Sequence, residues 1–199
     1  MSADRFARIG NNLSADFANT VVSFERDGGS LHGVDDVIDF LRATDVLSAE
    51  DESAARALAK TGPAAFVELA LRLRAAVTQA LVAIESSSPI AEDARALLND
   101  VLRADAAYER LDAEAGSYAL VRTRLHDEPA ALLAPIARDT ARLLSTPGVP
   151  VRHCAGVGCV RHFYDDSRTR KRRWCEMAIC GNRAKVAAFS ARRAGPTGG

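Results

Sequence analysis

The chain has 199 residues, 48% of them apolar and 26% charged, which is enough for one substantial core with a smaller satellite and unlike the composition of a disordered chain. No long uncharged apolar stretch marks a membrane span, and the charged start Met1-Ser-Ala-Asp-Arg5 lacks the apolar core of a secretion signal, so a cytoplasmic protein without a membrane partner is expected. The formal net charge of zero hides a segregation: residues 151–199 hold eleven Lys and Arg against three Asp and Glu, a balance of +8, and residues 1–150 carry the compensating −8. Charge divided in this way points to two modules with different partners, the basic one suited to a polyanion.

The first 150 residues read mostly as helices. Leu13, Phe17 and Val21 recur at four-residue spacing and predict a helix over about Asn12 to Val22, broken by Gly28-Gly29 and Gly33. Asp35 or Asp36 opens a second helix that buries Val37, Ile38 and Leu41. Ser48, followed by Asp51 and Glu52, reads as a further N-cap with acidic first-turn residues. Pro63 suits a first helical turn, and Phe66, Leu69, Leu73, Val77 and Leu81 then keep an apolar period for about five turns. Ser88-Pro89 repeats the start signal for a helix through Leu97, Leu98, Val101 and Leu102 that ends before Tyr108.

Between Tyr108 and Arg124 the pattern changes to alternation, with Tyr118, Leu120 and Arg122 on one side and Ala119, Val121 and Thr123 on the other. With Asp112 to Gly116 as the turn, this predicts a short β-hairpin. Helical signal returns from about Pro129 to Leu144, with Leu132, Leu133, Ile136 and Leu143 inward, and Thr146 to Pro150 reads as a boundary.

All four cysteines follow that boundary in the spacing C-x4-C-x15-C-x4-C: Cys154, Cys159, Cys175 and Cys180. Disulfides suit secreted chains, a redox pair would be C-x-x-C, and unligated buried thiols would not pair at equal intervals. A structural zinc held by four thiolates, closed to catalysis, is the favoured reading. His153 and His162 lie beside the set, but four cysteines already complete a tetrahedron, so ordinary hydrogen bonding is their expected role.

The runs His153-Cys-Ala-Gly-Val-Gly-Cys159, Phe163-Tyr-Asp-Asp-Ser-Arg168, Arg172-Arg-Trp-Cys175-Glu-Met177 and Cys180-Gly-Asn-Arg-Ala-Lys185 together resemble the CGNR zinc finger, named for the tetrad matched here by Cys180, Gly181, Asn182 and Arg183. In such proteins the finger follows a domain called ABATE, helical with a hairpin and regarded as a stress-response transcription regulator. The segment Asn12-Leu-Ser-Ala-Asp16-Phe-Ala-Asn19-Thr20-Val21 is similar to the start of that domain. The resemblance implies one zinc on the four cysteines and, as a proposal at the level of the family, DNA binding.

The fold expected is therefore mainly α with a small β-hairpin: a helical domain over 1–148, then a zinc module over 149–195, treble-clef or ribbon-like and ending in a helix. Turning 100° per residue from Cys180 places Ala184, Ala187, Ala188 and Ala191 on the metal side and Asn182, Lys185, Phe189, Arg192 and Arg193 on the other. Four thiolates and Zn2+ contribute −2, which lowers the module's +8 to about +6 and gives some arginines an inward role. Arg172 and Arg173 are the inward candidates. Arg168, Arg170, Lys171, Lys185, Arg192 and Arg193 are the candidates for phosphate, against the alternatives of a solvated tail or a face docked on the acidic domain.

Asp16, Asn19 and Thr20 stand at i, i+3 and i+4, so their polar groups share one side of the first helix. They could line a small-molecule pocket, form a packing network, or face water. Arg74 is the expected internal partner of Asp16 if the long helix packs on the first. No G-x-S-x-G, H-E-x-x-H, P-loop or Rossmann glycine pattern occurs, and His32 and His126 are isolated, so an enzyme with structural zinc is the weakest alternative. The leading reading is a cytoplasmic transcription regulator. Its zinc module contacts DNA, and its N-terminal domain senses a small ligand or mediates formation of a homodimer. The runner-up is a small-molecule-binding protein whose zinc module braces the ligand domain.

Overall fold

A computed structural model describes residues 6, 8–21, 30–114, 116–124 and 128–194. The expected helix end at Val22, the Gly28-Gly29 break and His126 lie outside the described residues. The elements in chain order are α1 (Leu13–Ala18), α2 (Val34–Ala43), α3 (Glu52–Ala59), α4 (Pro63–Ser86), α5 (Glu92–Arg103), β1 (Ala107–Glu114), β2 (Ser117–Arg124), a 3-10 turn (Pro129–Leu133), α6 (Ala134–Ser145), β3 (Val151–His153), β4 (His162–Tyr164), a π turn (Met177–Gly181) and α7 (Asn182–Ala194). The architecture is mainly helical with two small antiparallel hairpins, as expected.

The long helix α4 is the axis of the core. At about 1.5 Å per residue its 24 residues run about 36 Å, and Pro63 begins it at the position where a missing N–H costs nothing. Phe66, Leu73, Val77 and Leu81 are buried along it, with Ala70, Ala76 and Ala80 between them letting α1, α5 and α6 approach closely. Phe17 from α1 meets Phe40 from α2 at 5.2 Å between ring centres, and Val37, Ile38, Leu41 and Ile136 complete the apolar interior. One polar network crosses this core: Ser14 donates through both its backbone N–H and its hydroxyl to Asp139 (3.0 and 2.6 Å), and its hydroxyl lies 2.9 Å from that of Thr140. Buried hydroxyls satisfied in this way fix how α1 and α6 are set against each other.

Several boundaries differ from the sequence expectation for identifiable reasons. The first helix stops at Ala18, because Thr20 turns its hydroxyl back to the Phe17 carbonyl (2.7 Å) and Asn19 is committed elsewhere. Ser87 leaves α4 in the left-handed region (φ 53°), so α5 begins at Glu92 and not at Ser88-Pro89. Ser48 accepts the Asp51 N–H and donates to its carboxylate, closing the turn ahead of α3 rather than capping α3 itself. The strands of the first hairpin run closer to their turn than expected, with Glu114 paired to Ser117.

The largest correction concerns α7. Cys180 sits in the π turn and α7 starts only at Asn182, and apart from Ala184 its described side chains are exposed all round, so the expected inward alanine face does not form. Ala187, Ala188 and Ala191 are exposed, Ala184 is half-buried, and the helix leaves the body after its first turn.

Candidate metal centre and basic face

The zinc module is built on β3 and β4, which pair antiparallel with Val151 opposite Tyr164 and His153 opposite His162. Cys154 and Cys159 lie in the connection between these strands, while Cys175 and Cys180 lie at the approach to the π turn and within it. The module thus runs from a hairpin to a terminal helix. Phe163 is fully buried behind the cysteines, with Trp174 and Ile9 packed around them.

All four cysteines are buried, and their sulfurs lie within 4.8 Å of one another. Cys159 and Cys175 are 3.8 Å apart and Cys175 and Cys180 3.6 Å, matching the separation of about 3.8 Å that Zn–S bonds of about 2.3 Å give in a tetrahedron. The Cys154 sulfur accepts the N–H groups of Cys175 (3.2 Å) and Gly156 (3.4 Å). Although burial alone would raise the Cys154 thiol, these donors bring it below its ordinary value. Burial raises Cys180 to about 11, and burial with the neighbouring Cys154 and Cys159 pushes Cys175 upward. Thiols so crowded cannot all ionise near neutral pH without a cation among them, which is the condition a structural zinc meets. A Cβ on Gly156 would stand 3.1 Å from the Cys180 sulfur, so a larger residue there would crowd the cluster.

The histidines serve the hairpin. Their rings meet edge-on at 5.1 Å, the His153 N–H donates to Glu85 (2.9 Å), and burial lowers the pKa of His162. Of the arginines expected inward, Arg172 fulfils that role. It stacks over Phe163 at 4.5 Å and donates to the carbonyls of Trp174, Cys175 and Ile9. Arg173 does not; it is exposed and lies over Trp174 at 5.1 Å.

Asp165 is the residue that sequence reasoning missed. It is fully buried and accepts the Ser167 N–H and hydroxyl and the Arg172 N–H, with the Arg152 guanidinium 3.3 Å away. Burial opposes its charge, yet these donors hold its carboxyl below the usual range. A carboxylate followed two residues later by serine was the available signal, the mark of a local side-chain turn.

The six candidate phosphate contacts divide. Arg168, Lys171, Lys185 and Arg192 are exposed and make no ion pair with a described residue, and Arg193 lies over Phe189 at 5.7 Å. Arg170 is partly engaged: it donates to the Asp165 carbonyl and sits over Tyr164.

The Asp16 cluster is also placed. Asp16 accepts the Gly10 N–H (2.7 Å), while Arg74 donates to the carbonyl and hydroxyl of Thr20 (3.2 and 3.3 Å), so the expected Asp16–Arg74 pair is replaced by two separate contacts. Burial raises Asp16 to about 6, although the Gly10 N–H and nearby Arg8 oppose the shift. Asn19 accepts the His162 N–H (2.9 Å) and donates to its carbonyl (2.8 Å). Among the described residues, surface clefts lie beside α5, between α4 and β3, and between α2 and α3, and none of these is lined by Asp16, Asn19, Thr20 or Arg74.

Several hydrogen bonds join the two halves among the described residues. Tyr164 N–H donates to Gly10 (2.7 Å), Arg172 to Ile9, and Asn11 to Asp166 (3.1 Å), while Val151 is buried in the main core. Arg168, Lys171, Lys185, Arg192 and Arg193 make none of these contacts.

Among the described residues no helix is long and apolar enough to cross a membrane. No curated protein matches the chain. The profile of the CGNR zinc finger matches residues 151–193 and contains the whole thiolate cluster. The profile described as ABATE, "Putative stress-induced transcription regulator", matches residues 11–147, more than half of the sequence. With its helical body, its hairpins and its four-cysteine zinc centre, the chain belongs to the ABATE family and carries a CGNR zinc finger at its C-terminal side.

Proposed function

We propose that this protein is a cytoplasmic DNA-binding transcription regulator, its division of labour falling between a regulatory half over 1–148 and a zinc module over 149–195. The observation that carries the reading is that five cations of the module make no ion pair with a described residue while the module is docked. Arg168, Lys171, Lys185, Arg192 and Arg193 stay exposed on the 168–171 loop and α7, with Arg170 beside them. Exposed cations on a helix and an adjoining loop suit a phosphate backbone, whereas a purely bracing module would have no use for them. The zinc organises this face and does no chemistry, its four positions being filled by sulfur.

In the regulatory half, Asp16, Asn19, Thr20 and Arg74 hold α1 between α4 and β4. A small ligand acting through this segment, or a second copy joined to this half, would reach the zinc module through the Asn19–His162 contact. The second reading, a ligand-binding protein braced by its zinc module, draws on that same contact. Titration of a fluorescent duplex separates the two. The DNA-binding reading expects the combined Lys185→Ala, Arg192→Ala and Arg193→Ala variant to bind at least about tenfold more weakly with its zinc content unchanged. Equal binding by variant and wild type, or no binding by either, favours the bracing role.

A further inference from the structure

β1 and β2 form an arm with no interior. Leu111 is 64% exposed, Tyr118 75% and Leu120 66%, and Tyr108 and Val121 are exposed as well. Leu111 lies opposite Leu120 and Ala113 opposite Tyr118, so these four share one face, while Tyr108, Arg110, Asp112, Ala119 and Val121 share the other. Among the described residues the strands pack on each other and on no other element to a comparable extent. A two-stranded ribbon of this kind is marginal in water, and its outer edges present unpaired N–H and C=O groups.

The register says which backbone groups are free. Glu114 and Ser117 close a two-residue turn, which makes theirs a hydrogen-bonded pair and, by alternation, leaves the N–H and C=O of Glu109, Leu111 and Ala113 pointing outward along β1. We propose that this edge pairs antiparallel with the same edge of a second copy, about a two-fold axis at Leu111. Leu111 then meets its own counterpart, Glu109 meets Ala113, and Arg110 meets Asp112 of the second copy on both sides of the axis. These charged positions fall where the strands exchange no hydrogen bonds and Cα atoms come within about 4.5 Å, so opposite charges gain most there.

The charge pattern selects this partner. Within one chain Arg110 already lies against Asp112, with Nε–Oδ1 at 2.6 Å and Nη2–Oδ2 at 2.8 Å, so both groups stand on the same face at the edge. Because they flank Leu111 symmetrically, the edge is complementary to itself in the antiparallel sense. A slip that moves the axis to Glu109 would set that carboxylate against its own copy, so charge fixes the register. Pairing also joins Leu111 and Leu120 of each chain into one apolar row across four strands, and it follows the two-fold symmetry most common among homo-oligomers.

The inference rests on the reading of the N-terminal half as the part that joins two copies, and its test involves no DNA, so it can fail independently of DNA binding. Sedimentation of the zinc-loaded full chain should show a monomer–dimer equilibrium. Arg110→Asp and Asp112→Arg should each weaken it about tenfold or more by placing like charges across the axis, and the combined exchange should restore it. Under mild oxidation Leu111→Cys should form a disulfide between copies, and Leu120→Cys, set on the outer strands, should not. A monomer at every concentration, a dimer indifferent to the charge reversals, or cross-linking through position 120 would overturn the assignment. If the charge variants lose helical structure, the two cysteine variants decide it alone.

Discussion

Asn19 on α1 and His162 on β4 are paired as neighbouring strands would be: the carboxamide oxygen accepts the His162 N–H at 2.9 Å and the carboxamide nitrogen donates to the His162 carbonyl at 2.8 Å. One side chain thus terminates a helix of the body and completes the edge of the zinc hairpin. Asn19→Ala leaves both backbone groups without a partner at a partly buried position and should cost about 2–4 kcal/mol in urea unfolding. Asn19→Asp keeps the acceptor, loses the donor, and should fall between the two.

Gly10 occupies a position where a side chain has no room. Its N–H donates to Asp16 and its carbonyl accepts from Tyr164, and a Cβ would stand 2.7 Å from that of Ala15 and 2.8 Å from the Asp16 backbone nitrogen. Gly10→Ala should lower stability by about 1–3 kcal/mol or more, read as a drop in melting temperature, whereas Gly62→Ala, with open space around it, serves as the control.

Asp16 gives the body a pH dependence of defined sign. Its native pKa is raised from 3.8 to about 6, so between these values the folded protein holds a proton that the unfolded chain has released. Stability should therefore be greatest at the acid end of that window, fall as pH rises through it by as much as about 2–3 kcal/mol, and level off above it. Asp16→Asn retains an oxygen for Gly10 and should remove this falling component from unfolding midpoints between about pH 4.5 and 7, leaving the opposite slope of His162, whose lowered pKa adds stability as pH rises.

Removal of zinc should act locally first. Chelation, or Cys175→Ser, should abolish protection from hydrogen exchange over 151–193 while α4, whose Leu73, Val77 and Leu81 are fully buried, keeps it. Loss of protection throughout α4 at the same chelator concentration would show that the body depends on the metal as well.

The sequence carried the helices of the body through period alone: Val37, Ile38 and Leu41, and Phe66, Leu73, Val77 and Leu81, are buried where their spacing places them, with Leu69 half-buried beside them. The zinc centre was legible because four thiolates at paired intervals have few other uses. What period could not reveal was whether a helix meets the body: α7 follows the π turn at Met177–Gly181 and is exposed on every side beyond Ala184, alanines included. Nor could it reveal partners distant in sequence. Asn19 and His162 are 143 residues apart, and nothing local to Asn19 shows that its amide substitutes for a strand.

Use of the exposed cations of the docked module on DNA is tested by the salt dependence of duplex binding by the zinc-loaded full chain. With four or five phosphates neutralised by Arg168, Lys171, Lys185, Arg192 and Arg193, log affinity should fall against log salt with a slope of about −3 to −5. Binding insensitive to salt, or none at low salt, would contradict it.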